Sequence, residues 1–161
     1  MDINKLDALI FDFDGVLTDN RVVVNQDGSE SVICNRADGL AFDVLKKLNI
    51  PTYILSTETN AVVSVRAKKL KVQIIQGVSN KLKALSELCS SQNYHYSKIL
   101  YVGNDLNDYY VMKSCGITVC PNDAHNSIKS ISKFILKKNG GDGIVREILE
   151  EIYNVDFLQY I

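Results

Sequence analysis

Short apolar runs alternate with amphipathic helical patterns along the whole chain, and that alternation restricts it to a small set of folds. Leu6 to Phe13 reads as a buried strand that runs into acidic residues and Gly15. Arg21 to Asn25 and Ser31 to Asn35 flank Gln26-Asp27-Gly28-Ser29, and an Asp-Gly pair between β-branched runs predicts a hairpin because glycine tolerates positive φ. Leu40, Ala41, Val44, Leu45 and Leu48 share one helical face that stops before Pro51, and Thr52 to Leu55 then reads as a strand. The β-α-β step recurs. Helices are expected near Asn60 to Leu70, Asn80 to Cys89, Asp108 to Ser114 and Ala124 to Ile131, with strands at Val72 to Ile75, Ile99 to Val102, Ile117 to Cys120 and Phe134 to Leu136. Ile144, Val145, Ile148, Leu149 and Ile152 mark a last helix. Strands that are apolar throughout must be covered on both faces. The expectation is an α/β fold: a Rossmann-like, mostly parallel sheet with helices on both faces, plus a β-hairpin after the first strand.

Composition narrows the setting. A chain of 161 residues, 46% of them hydrophobic, suffices for one core, and no linker, repeat or low-complexity tract divides it, so residues 1–161 read as a single domain. Eighteen Lys and Arg balance 19 Asp and Glu, leaving no field to gather nucleic acid or an acidic membrane. The four cysteines are scattered and form no C-x-x-C pair, which argues against a zinc site and a disulfide framework. No run of about 18 apolar residues suggests a membrane span, and the first residues do not read as a signal peptide. A cytoplasmic protein is expected.

In such sheets ligands collect beyond the carboxyl ends of the strands. The first strand delivers Asp12-Phe13-Asp14-Gly15-Val16-Leu17-Thr18-Asp19, and carboxylates two apart in an extended chain point to one side. The next expected strand ends in Ser56-Thr57-Glu58, a helix start offers Lys81, and Ile99 to Val102 run into Gly103-Asn104-Asp105-Leu106-Asn107-Asp108. Singly, each has a structural reading: Ser56 as a helix cap, Lys81 as a solvated charge, Asn104 to Asp108 as an Asx-type cap. Occurring jointly and in this order, they point to one site.

These four segments match the ordered motifs of the haloacid dehalogenase superfamily, and the chain resembles its capless phosphatases that act on phosphorylated 2-keto-3-deoxy sugar acids. The resemblance implies an Mg2+-dependent phosphomonoester hydrolase. Asp12 would attack phosphorus and become an aspartyl phosphate, while Asp14 would protonate the leaving alcohol and then deprotonate water. Ser56 would hydrogen-bond the transferring phosphoryl group and Lys81 would offset its charge. Asp12, Asp14 and Asn104 are the implied metal ligands, with Asp105 and Asp108 orienting them. Asn104 departs from the family's aspartate, which implies weaker metal binding, and Asp105 is the alternative ligand.

The family also implies substrate-binding positions. Thr57 and Glu58 resemble the enzymes that take nonulosonate 9-phosphates, including sialic-acid-like sugars, rather than octulosonate 8-phosphate. Lys69 matches a second such position, Arg66 lies in the same helix, and Arg36 and Asp38 are expected to line the opening. On chain logic alone, Lys68, Lys69 and Lys71 are an ordinary solvated run. No room exists for a separate cap, so the resemblance implies a homotetramer in which hairpins pack together and Gly140 to Arg146 covers an adjacent site.

Two other classes compete. A receiver-like signalling module would keep its phosphoacceptor on a middle strand, but there Thr52 to Leu55 ends in Ser56. A noncatalytic sugar-acid-binding module, of the kind appended to acylneuraminate cytidylyltransferases, finds encouragement only in Asn104.

Overall fold

A strand of four residues spans only about 13 Å, so the buried runs of this sequence can pass once through a core and must return over its surface. The computed structural model describes residues 1–160 and shows that arrangement. Strands β1 (Ala8–Phe11), β4 (Thr52–Leu55), β5 (Gln73–Ile75), β6 (Ile99–Val102), β7 (Ile117–Cys120) and β8 (Phe134–Ile135) form one sheet in the order β5-β4-β1-β6-β7-β8. Every pairing in it is parallel. Helices α1 (Arg36–Lys47), α2 (Ala61–Leu70), α3 (Lys81–Gln92), α4 (Tyr109–Ser114), α5 (Asn126–Lys129) and α6 (Ile144–Glu147) cover it.

Alternate residues of β1 serve opposite layers. Leu9 and Phe11 join a core with Phe42 and Leu45 of α1, Val63 of α2 and Ile144 of α6. Ala8 and Ile10 face Leu85 of α3, Met112 of α4 and Ile128 of α5. The chain runs outward from β1 through β4 to β5, then returns to β6 on the other side, so the direction of winding reverses beside β1. Loops diverge at that point and leave a crevice at the carboxyl ends.

Boundaries shift where the local chemistry differs from the periodicity. The hairpin is real but short: β2 (Val23–Val24) pairs antiparallel with β3 (Glu30–Ser31), Gly28 taking φ +82° at the turn. All of residues 21–31 are exposed, so no packing extends the ladder, although an isolated bridge joins Thr18 to Cys34. The helix expected from Asp108 begins earlier, as a 3-10 turn over Leu106–Asp108. The helix expected over Ala124 to Ile131 contracts to α5, and the last helix continues from α6 as a wider π turn over Ile148–Ile152. Among the described residues, no helix is long and apolar enough to cross a membrane.

Candidate active site

Asp12 is the first residue beyond β1, and its N–H still donates to Val102 O at 2.9 Å, so the sheet itself holds the backbone at that point. Phe13 turns back into the core, which aims Asp12 and Asp14 outward from one anchored segment. Gly15 then reverses the chain at φ +75°, and a Cβ there would sit 2.0 Å from Asn104 Nδ2. Only glycine fits.

Lys81, in the first turn of α3, is 3% exposed. Its Nζ lies 2.8 Å from Asp12 Oδ1 and 2.7 Å from Asp108 Oδ1. Asp108 is fully buried and also accepts from Tyr101 Oη at 3.0 Å and from Asn104 N at 3.0 Å. It therefore fixes both the lysine and the loop that carries Asn104. Asp12 Oδ1 accepts in addition from Phe13 N at 2.7 Å, while Oδ2 makes no hydrogen bond among the described residues. One oxygen is held and the other is left for a ligand.

The buried group is short of positive charge: two carboxylates share one ammonium. Burial pushes the Asp12 carboxyl up to about 7, the Asp108 charge adds to that, and Lys81 opposes it. Burial works against the Lys81 ammonium too, yet the two carboxylates hold its pKa above the usual lysine value. The half-buried Asp14 carboxyl is also raised, by burial first and then by the Glu58 charge. Its Oδ1 accepts from Thr18 Oγ1 at 3.4 Å, and Thr18 Oγ1 in turn accepts from Gly15 N at 3.1 Å.

Ser56 ends β4 and is buried; its Oγ accepts from Glu58 N at 3.1 Å, which leaves the hydroxyl proton free to be donated. Asp12, Asp14, Ser56, Thr57, Asn104 and Asp105 line one cleft of about 360 Å³. Its rim joins a second hollow of about 290 Å³, walled by Arg21, Glu30, Glu58 and Asn60 and sharing Asp14 and Asn20 with the first. Glu58 Oε1 is pinned by Thr59 N and Asn60 N, and Asn60 Nδ2 reaches across to Glu30 Oε2 on the hairpin at 2.7 Å.

The residues fit a hard divalent cation. Asn104 Oδ1 is buried without a hydrogen-bond partner among the described residues, in the cleft that Asp12 and Asp14 also line. An orphaned amide oxygen is costly unless something binds it, and oxygen donors of this kind suit Mg2+. Asp105, the alternative ligand, is exposed and uses Oδ1 to cap Leu106 N at 2.7 Å, so Asn104 is the better placed of the two.

Four expected substrate contacts are not brought to this cleft. Asp38 is 1% exposed and turned inward, where Oδ1 accepts from Val145 N at 2.9 Å. The expectation that it lines the opening is corrected, because its carboxyl serves the first turn of α6. Arg66 donates to Asn35 O at 2.8 Å and ties α2 to the start of α1. Lys69 is exposed in the last turn of α2, toward the end of the helix opposite the cleft, and Arg36 is exposed at the first position of α1. Within one chain these three side chains line neither hollow. Gly140 and Gly141 are likewise committed to their own chain, packed on the loop after β1 rather than projecting away. Sequence reasoning did not single out Tyr101 or Asn20. Tyr101, a lone hydroxyl in an otherwise apolar strand, was the available signal.

Comparison with known proteins agrees with the geometry. Residues 40–148 match the family model of the haloacid dehalogenase-like hydrolases. A 3-deoxy-D-manno-octulosonate 8-phosphate phosphatase from Salmonella typhi is 34% identical over 143 residues, covering 88% of this chain and 76% of that protein. The crystal structure of a phosphatase of the same name from Moraxella catarrhalis, in complex with a magnesium ion, a phosphate ion and a KDO molecule, superposes with a TM-score of 0.89. Identity to it is 31%, over 94% of this chain and 88% of that one. The structure of the Yersinia pestis phosphatase gives a TM-score of 0.88 at 30% identity, covering 92% of this chain and 80% of that one.

Proposed function

The chain belongs to the haloacid dehalogenase-like hydrolase family, and from that premise we propose that it is a Mg2+-dependent phosphatase of phosphorylated 2-keto-3-deoxy sugar acids. One observation carries the reading: at the reversal of the sheet, a carboxylate with one pinned and one free oxygen meets a buried lysine, a buried serine hydroxyl and an orphaned amide oxygen. Such a set suits a phosphoryl group and little else.

Asp12 attacks phosphorus through one carboxylate oxygen; the new O–P bond forms as the ester O–P bond breaks. Asp14, whose pKa is raised, gives its proton to the departing alkoxide, so the alcohol leaves neutral. Water then attacks the aspartyl phosphate, Asp14 takes the water's proton, and inorganic phosphate and the Asp12 carboxylate are released. Lys81 offsets charge on the pinned side of Asp12, and Ser56 donates to a phosphoryl oxygen. Asp12, the Asp14 carbonyl and Asn104 would hold Mg2+, which when bound neutralises phosphate charge and orients one of its oxygens.

The leaving group occupies the hollow beside Asp14. The matched relatives are named for octulosonate 8-phosphate, which supports the eight-carbon acid as first substrate. A nonulosonate 9-phosphate is the second reading, favoured by Glu58, whose pinned carboxylate walls that hollow and can accept from sugar hydroxyls. Because the site lies open, self-assembly as a homotetramer through the hairpin is part of the proposal, supported by the exposed Val22, Val23, Val24 and Ile33.

The test is a phosphate-release panel of octulosonate 8-phosphate against nonulosonate 9-phosphates, with and without Mg2+, beside Asp12→Asn. The substitution is expected to lower turnover at least about a thousandfold. Native turnover by Asp12→Asn, or no release from any of these esters by a folded wild-type chain, would reject the reading.

A further inference from the structure

Two loops supply the oxygens assigned to the ion, one after β1 and one after β6; the sheet still holds Asp12 through Val102 O, but Asp14 and Asn104 lie beyond it. The strands alone therefore do not set the distance between them. Resting on the ion site proposed above, we infer that the segment Pro121 to His125 and the diglycine Gly140-Gly141 form a brace that fixes this spacing, with Asp123 and Gly140 as its positioning residues.

The brace touches both loops. His125 N donates to Asn104 O at 2.8 Å. Two residues earlier, Asp123 Oδ1 accepts from Gly140 N at 2.9 Å, and Gly141 N donates to Val16 O at 3.0 Å. A run of backbone hydrogen bonds thus passes from the Asn104 loop to the Asp14 loop through one carboxylate.

The contact with the Asp14 loop leaves no slack. A Cβ on Gly140 would lie 2.1 Å from Gly15 O, and one on Gly141 would lie 2.6 Å from Asp19 N and Thr18 C. Gly15 O lies one peptide beyond the Asp14 carbonyl, so a shift of the diglycine presses on the loop that carries the ion's backbone ligand.

The diglycine is held in turn from both sides. Glu147, buried in α6, accepts from Lys137 N at 2.7 Å and Lys138 N at 3.0 Å. Asp38, reaching across from α1, accepts from Val145 N. Asn122 N donates to Lys138 O at 2.9 Å. Asp38, Asp123 and Glu147 each accept from backbone N–H groups, which positions a turn without entering the cleft. Asp123 lies outside both hollows.

The experiment uses the full chain and three substitutions: Gly140→Ala, Asp123→Ala and Asp123→Asn. Mg2+ affinity is read by calorimetry and by the Mg2+-induced shift in melting temperature, and kcat and KM by phosphate release. Gly140→Ala and Asp123→Ala are expected to weaken Mg2+ binding by about tenfold or more, the scale seen when the supports of metal ligands are removed. They should lower kcat more than they raise KM. Asp123→Asn keeps an acceptor for Gly140 N and should restore most of the affinity. Should Gly140→Ala fail to fold, the Asp123 pair decides. If Asp123→Ala lowers only the metal-free melting temperature and binds Mg2+ as the wild type does, the brace is merely structural and the inference is overturned. A wild-type chain with no Mg2+ response overturns the ion site itself and the brace with it.

Discussion

Lys81 bridges Asp12 and Asp108 from a position buried to 3% exposure, with Nζ 2.8 Å from one carboxylate and 2.7 Å from the other. Among the described residues neither acid has a second cationic neighbour within salt-bridge distance, so the lysine is the one counter-charge that the two buried carboxyl groups share.

Lys81→Met should therefore damage two properties together. Leaving buried carboxylates unpaired costs on the order of 3–5 kcal/mol of stability, and losing a charge on the transferring group costs about 100- to 1,000-fold in kcat. Urea denaturation and phosphate release measure the two. A variant as stable as the wild type would show that Asp12 and Asp108 do not depend on the lysine.

Asn104→Asp should reverse sign with Mg2+. Without metal, a third carboxylate beside Asp12 lowers the melting temperature; with Mg2+, the extra charge tightens binding by about tenfold. A Mg2+ titration followed by thermal melting reads both. Equal Mg2+ affinity in the two proteins would remove Asn104 from the ligand set.

Asp38 gives the stability a pH dependence. Burial raises its carboxyl to about 6, against the pull of the Val145 and Arg146 N–H groups and Arg66. The folded state thus binds this proton more tightly than the unfolded chain does. The group's stabilisation is complete below about pH 4 and is lost as pH rises through about 6, an effect of about 3 kcal/mol. In Asp38→Asn that component should vanish, so the stability difference from wild type changes between pH 4 and 7 and is flat above. A difference that stays constant across this range would contradict the assignment.

Val24→Asp addresses assembly. Val24 is 65% exposed on the hairpin, so in an isolated chain the change should stay within about 0.5 kcal/mol. In a homotetramer packed through hairpins it buries a charge and should dissociate the assembly. Light scattering at micromolar concentration distinguishes the outcomes; a fully active wild-type monomer would end the tetramer proposal.

The order of elements was legible in the amino-acid pattern alone, and so were the polar residues that the fold gathers at the strand ends. β4, β6 and β7 stand where apolar runs put them, because a strand buried on both faces leaves a continuous mark, and Asp12, Asp14, Ser56, Lys81 and Asn104 follow strand ends or begin a helix as the alternation required. Boundaries were less legible where hydrogen-bond geometry, not hydrophobic period, decides them, as in the 3-10 turn before α4 and the π turn after α6.

The partner that each polar group meets was set by packing between distant segments. Asp38 looked like a residue of the opening and instead holds Val145, 107 positions away, while Gly140-Gly141 lies against Gly15, a contact that no local pattern announces. Local pattern records whether a side chain is apolar and how its neighbours repeat; it holds no information on which distant N–H or carboxylate will be met. That choice is made when two separate segments pack, and its energy depends on distances of a few ångströms that no spacing along the chain encodes.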